Sequence, residues 1–168
     1  MQLIQYISRE QDGAKINHTP QFNNADYGKK QNWGTPQAFY DQWDQEFNFD
    51  LDAAADKELT KCDNWLGLDH DDESRRDALA VDWADYASSA IWCNPPYGRQ
   101  LPKFLAKGLE ASKSVPVVFL LPNSTDTRWF HDYCLPHEVV YVKGRLTFGN
   151  YHSPAGFGSI VVIMGGNK

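Results

Sequence analysis

The chain has 168 residues, a mass of 19.1 kDa and a formal net charge of −6. That length suits one domain with a sizeable core, and an aromatic content of 14% excludes disorder throughout. No apolar run approaches the roughly 18 residues of a membrane-spanning helix, and a pI of about 5.2 excludes affinity built on a broad basic surface.

Residues 1–30 are polar and weakly periodic and read as a loosely ordered N-terminal arm; residues 31–168 read as a single domain. The start, MQLIQYISRE, lacks a basic segment followed by an apolar stretch, so the expected location is the cytoplasm. Thr35 can cap a helix that has Pro36 at its first position. Phe39, Trp43 and Phe47 then follow at helical spacing. Apolar and polar residues alternate from Phe47 to Leu51, which predicts a strand ending at Asp50 and Asp52 before the small residues Ala53, Ala54 and Ala55. Residues 57–77 are charged and irregular, and His70-Asp71-Asp72-Glu73 reads as a solvated acidic loop, since no second ligand pair has metal-site spacing. Three widely spaced cysteines without a CxxC read as reduced thiols, and no metal is expected.

A short strand over 78–82 is expected to end at Asp82, and a second over 90–93 to run into Asn94. Leu101–Lys113 has the apolar face of a helix. Val115–Leu121 is a continuous apolar run, the mark of a strand buried on both faces. Asn123–Thr127 offers caps for a short helix holding Trp129 and Phe130. Glu138–Val142 reads as a strand, and Gly144–Phe148 with Ser159–Met164 as a terminal antiparallel pair. Strands alternating with helices predict an α/β fold with a mainly parallel sheet.

The most informative residues are Asn94-Pro95-Pro96-Tyr97. Two prolines stop the strand and stiffen the turn. In an open α/β sheet, ligands bind outside the carboxyl ends of the strands. A planar ring bearing an NH2 group suits this turn. The Asn94 amide oxygen and the Pro95 carbonyl can each accept one of its hydrogens, while Tyr97 stacks on the ring. Two acceptors hold the nitrogen lone pair out of conjugation and make it a better nucleophile.

The order of several landmarks extends this reading. Trp33-x-Thr35-Pro36, Phe49–Ala55, Lys61-Cys62, Trp92–Tyr97, Leu121-Pro122 and Gly144-Arg145-Leu146-x-Phe148 together resemble the phage-type DNA N6-adenine methyltransferases, compact relatives of the DNA adenine methylases (Dam), over roughly residues 32–164. The resemblance implies a Rossmann-like S-adenosylmethionine-dependent methyltransferase fold with a terminal antiparallel hairpin. It implies DNA as the partner and S-adenosylmethionine as the cofactor, with Asn94, Pro95, Pro96 and Tyr97 gripping a flipped adenine. Thr35, with Pro36 beside it, matches the position that approaches the methionine carboxylate of the cofactor. Asp50, Asp52 and Ala53 stand where such enzymes carry a glycine-rich loop, which this chain lacks. Asp82 either reads the cofactor adenine or is a surface carboxylate beside Trp83.

Lys29, Lys30, Arg99, Lys103, Arg128 and Arg145 are candidates for phosphate contact, or else solvated surface charges. The loop 149–158 carries aromatic rings that either fill the gap left by the flipped base or pack on the protein. A monomer or weak homodimer is expected, in the host cytoplasm if the chain is phage or prophage encoded. The same turn grips any planar NH2, so methylation of an RNA base or of a protein glutamine amide is a second reading. A catalytically inactive DNA-binding accessory protein is a third.

Overall fold

The structure, a computed structural model, describes residues 34–149 and 152–166. The expected arm, with Lys29 and Lys30, lies outside the described residues. Helix α1 spans Gln37–Phe47 and turns Phe39, Tyr40 and Trp43 inward. Its first residue is preceded by Pro36 in extended geometry, and Thr35 makes no cap hydrogen bond, contrary to the expected Thr35 cap. Proline in the cap position needs no donor of its own and stops the helix from extending backward. At the other end Asn48 adopts a left-handed φ of 55°, a conformation that asparagine tolerates better than most residues. The Asp44 carboxylate then accepts the Phe49 amide at 2.8 Å and closes the turn.

Five strands form one sheet in the order β1 (Leu51–Asp52), β2 (Ile91–Cys93), β3 (Val117–Pro122), β5 (Ser159–Met164), β4 (Glu138–Tyr141). The pairs β1–β2 and β2–β3 are parallel, while β5 runs antiparallel to both β3 and β4. The sheet is therefore mixed, and the antiparallel partner of β5 near the chain end is β4. The expected partner, 144–148, forms no strand. Gly144 takes a left-handed φ of 79° and diverts the chain. Leu146 and Phe148 bury their side chains instead. Both edges of β5 are already paired, so no ladder position remains for that segment.

Residues 78–82 are turns, not the expected strand. Asp77 and Asp82 each accept a backbone amide two residues on, from Leu79 and Ala84. Such local bonds compete with strand pairing and hold the segment in turns. The Trp83 indole donates to the Ala78 carbonyl at 2.8 Å and is fully buried.

Alternation along the strands sends side chains to two separate cores. On one face, Trp92, Val118, Leu120 and Val161 pack with α1 and with Phe49, Leu146 and Phe148. Tyr40 meets Trp92 edge-on at 5.4 Å there. On the other face, Ile91, Cys93, Phe119 and Leu121 pack with Trp83 and with α2 (Leu101–Ala111). Gly108 of α2 permits that contact, because a Cβ there would lie 2.2 Å from the Phe119 ring. A single π-helical turn, Phe130–Cys134, covers the remainder of that face with Phe130 and Cys134. All residues from Val117 to Leu121 are buried, as the apolar run predicts. Helices thus lie on both faces, and the parallel strands end together on one edge of the sheet.

Candidate active site

The carboxyl ends of β1 and β2 lie side by side, with Asp52 paired in register to Trp92 and the Ala53 amide bonded to the Trp92 carbonyl at 2.9 Å. Asn94 is therefore held two residues beyond the point where β1 delivers Asp52. The two prolines end β2 as expected: Pro95 is buried and Pro96 exposed.

The Asn94 side chain is gripped from both sides. Its Nδ2 donates to Thr35 Oγ1 at 3.2 Å, and the Tyr97 hydroxyl donates to its Oδ1 at 3.2 Å. Thr35 is only 5% exposed, so it presents its hydroxyl to the turn as part of the packed wall. Burial raises the Tyr97 phenol well above its ordinary value, which keeps the proton that it donates. The Tyr97 ring meets Phe157 edge-on at 5.7 Å, and Phe157 in turn tilts against Phe148 at 6.1 Å. The loop before β5 thus supports the turn, and Phe157 serves as a packed ring. The Gly149 amide donates to the Gly34 carbonyl at 2.7 Å, which closes this loop onto the residue preceding Thr35.

Asp52 forms the other pole. It is 4% exposed, and its carboxylate accepts the Lys61 amide at 3.0 Å and the Ala54 amide at 3.3 Å. Burial pushes its carboxyl up to about 6, against the pull of those two amides and of the Lys61 ammonium. Burial also lowers the Lys61 ammonium, against the attraction of Asp52. Desolvation therefore outweighs attraction at both members of the pair. Cys93, immediately before Asn94, is fully buried, and burial holds its thiol well above the ordinary value. It stays protonated at neutral pH and supplies no thiolate nucleophile.

Thr35, Asp52, Asn94, Pro95, Pro96, Tyr97 and Lys103 line one cavity of about 860 Å³. That is ample room for a small-molecule ligand together with part of a second. The other expected site residues are placed elsewhere. Asp50 does not line the cavity, because its carboxylate accepts the amides of Ser88 at 2.7 Å, Ser89 at 3.1 Å and Ala90 at 3.2 Å. Asp82 caps its own turn through the Ala84 amide at 3.0 Å and likewise stands outside the cavity. Ala53 is buried and Pro36 half-buried, and neither lines the cavity. Arg99, Arg128 and Arg145 are exposed and also outside it.

Residues not singled out in the sequence complete the wall. Leu59, Leu66, Leu68, Leu79 and Asp77 also line the cavity. Segment 64–66 runs along β1, with the Asp52 amide donating to the Asn64 carbonyl and the Leu66 amide to the Asp52 carbonyl. Gly67 allows this close approach, since a Cβ there would lie 1.8 Å from the Ala55 carbonyl oxygen. Its position between two leucines is the one local signal for it.

The donor set bears on which cofactor fits. The amides of Ala53, Ala54 and Ala55 are bonded to Trp92, the Asp52 carboxylate and Leu66 respectively. None is left to cradle a phosphate, as glycine-rich loops do. Four carboxylates (Asp52, Asp56, Asp69 and Asp77) and three cations (Lys61, Arg76 and Lys103) line the cavity. Such a lining suits a ligand that carries positive charge and no phosphate. Among the described residues no group of three or more His, Cys, Asp or Glu side chains is placed to hold a metal ion. No helix among them is long and apolar enough to cross a membrane.

No curated protein matches the chain. A family model described as DNA N-6-adenine-methyltransferase (Dam) matches residues 23–164, a span that takes in the whole sheet, the gripped Asn94 and the buried Asp52. The chain belongs to the Dam family of DNA N-6-adenine methyltransferases.

Proposed function

We propose that the chain methylates N6 of an adenine in DNA with S-adenosylmethionine as donor, on a Rossmann-like methyltransferase fold, with the target base turned out of the duplex into the cavity. The observation that carries this reading is the gripped amide of Asn94 opening onto the same cavity as the buried Asp52. S-adenosylmethionine supplies a methyl group already activated on a sulfonium. A cationic, phosphate-free cofactor agrees with the acidic lining and the occupied amides around Ala53. We assign Asp52, buried on the cavity wall, to hold it, and Thr35 to the Asn94 amide instead.

The chain's own work is positioning. Asn94 Oδ1 has lone-pair capacity beyond the Tyr97 hydroxyl and accepts one hydrogen of the adenine amine, while the Pro95 carbonyl accepts the other. Thr35 and Tyr97 fix the plane of the Asn94 amide, so the acceptor is aimed before the base arrives. Extruding the base costs a few kcal/mol of stacking. Aligning two reactants supplies about 7–11 kcal/mol of the barrier, which is why an amide and a ring suffice without a catalytic dyad. The surplus proton on N6 leaves to water through the open mouth.

The test is a label-transfer assay with S-adenosylmethionine and duplex DNA, RNA or protein as acceptor, followed by identification of the methylated product. N6-methyladenine in DNA is expected. Asn94→Ala should lower kcat by about 10²-fold or more, the scale of losing one preorganised polar contact in a transition state. Asn94→Asp keeps an acceptor and should retain part of the activity. Label on RNA or on glutamine amides, or cofactor binding with no transfer to any DNA, overturns the reading.

A further inference from the structure

Charge on this molecule is divided between two parts of the fold. Residues 50–86 carry twelve acids and four bases, whereas residues 94–158 carry four acids and seven bases. The first group includes Asp52 and most of the cavity lining; the second follows β2 and contains α2, β3 and β4.

The two groups also differ in how their cations are used. In the acidic part, Lys57 pairs with Asp71 at 2.8 Å, Arg75 with Asp72 at 3.8 Å and Arg76 with Glu73 at 3.4 Å. Those cations are already engaged by carboxylates of their own lobe, which stays net acidic. In the basic part, Arg99, Lys103, Lys143 and Arg145 are exposed and make no ion pair among the described residues. Arg128, by contrast, pairs with Asp132 at 3.2 Å.

Topology brings those four cations to one edge. Arg99 and Lys103 lie in the turn after β2 and the first helical turn of α2. Lys143 and Arg145 follow the carboxyl end of β4, which points the same way as β2 because both β3–β5 and β5–β4 are antiparallel. Arg145 donates to the Ala155 carbonyl at 3.2 Å, and the same loop reaches the catalytic turn through Phe157 and Tyr97. Lys103 also lines the cavity.

We propose that duplex DNA docks along this edge, its phosphates against Arg99, Lys103, Lys143 and Arg145, with the net-acidic lobe turned away from the duplex. The proposal rests on the functional reading above and adds a direction to it. The base enters the cavity from the α2 and β4 side, and the acidic lobe repels a duplex that approaches over the cofactor half. Exposed cations without an ion pair are the groups that gain most from a phosphate, because no ion pair must be broken first and condensed counterions are released.

The test measures affinity for a fluorescent duplex against salt concentration. Each lost phosphate contact removes about 0.9 from the slope of log affinity on log salt. Lys143→Gln and Arg145→Gln should each lower the slope by about that amount, and their combination with Arg99→Gln and Lys103→Gln by about 3 to 4. Lys57→Gln in the acidic lobe and Lys113→Gln after the far end of α2 should leave it unchanged. Calorimetry with S-adenosylmethionine checks that each variant keeps its fold and its cofactor site; the single variants carry the test if the combination does not fold. A wild-type slope in both single variants, or an equal loss in Lys57→Gln, overturns the docking edge. Wild-type protein that binds duplex with the expected slope yet transfers no methyl group refutes the functional reading and leaves the docking edge standing.

Discussion

Replacing Thr35 with valine isolates one hydrogen bond at the turn of Asn94 to Tyr97. Valine keeps the shape and the wall packing of a side chain that is 5% exposed, but removes the oxygen that accepts from Asn94 Nδ2 at 3.2 Å. The Asn94 amide is half-buried, so its released N–H recovers only part of its hydration. Leaving such a donor unmet costs about 1–3 kcal/mol. Partial exposure places this case near about 1.5–2 kcal/mol, or roughly a 10- to 30-fold loss of rate. Because the bond orients an acceptor and does not hold a substrate, the loss belongs in kcat. Steady-state methylation of duplex DNA should show kcat reduced, with KM for DNA and for S-adenosylmethionine within about twofold of wild type. Thr35→Ser restores the hydroxyl and should recover most of the activity. Unchanged kcat in Thr35→Val refutes the orienting role, as does an equal loss in Thr35→Ser. A rise confined to KM for S-adenosylmethionine makes Thr35 a cofactor contact instead.

Asp52 and Gly108 give two further tests. Burial raises the Asp52 carboxyl from 3.8 to about 6, so the folded protein holds that proton more tightly than the unfolded chain. The stability this confers is complete below about pH 4 and is lost as pH rises through about 6, a change of about 3 kcal/mol. Urea unfolding of wild type against Asp52→Asn between pH 4 and 7 should reveal that pH-dependent difference; parallel curves would contradict it. At Gly108, alanine gains about 1 kcal/mol of helix propensity, but its Cβ would meet the buried Phe119 ring at 2.2 Å. Overpacking of that kind costs about 1–3 kcal/mol, and so severe a contact belongs at the upper end. A net loss of about 2 kcal/mol by thermal or denaturant unfolding is expected, and an unchanged midpoint would show that the ring yields freely.

Local patterns revealed the elements that local forces decide. The apolar run of β3, the face of α2 and the proline-stopped end of β2 all stand where periodicity and backbone chemistry put them. Residues 78–82 misled because Asp77 and Asp82 look like strand punctuation but spend their carboxylates on neighbouring amides. Residues 144–148 misled because two segments offered β5 an antiparallel partner, and only the tertiary arrangement chose β4. Asp50 and Asp52 stand two apart in the sequence with similar surroundings. Their different fates depend on residues 88–90 and on Lys61, contacts of long sequence separation that no local window contains. The same holds for Gly67 and Asp77, whose place in the cavity wall follows from segment 64–66 running along β1.

The three amides gathered by Asp50 bear on how variants of this fold will fail. That carboxylate anchors the entry of β2 to its neighbour, while the Ala53 to Trp92 bond anchors the exit. Strand β2 is itself only three residues long, too short to absorb a misalignment. Sliding by one position would carry the chain about 3.3 Å and reverse which way each side chain faces. Damage at position 50 should therefore surface as a mis-spaced donor and acceptor, felt as slow chemistry in protein that still melts cooperatively.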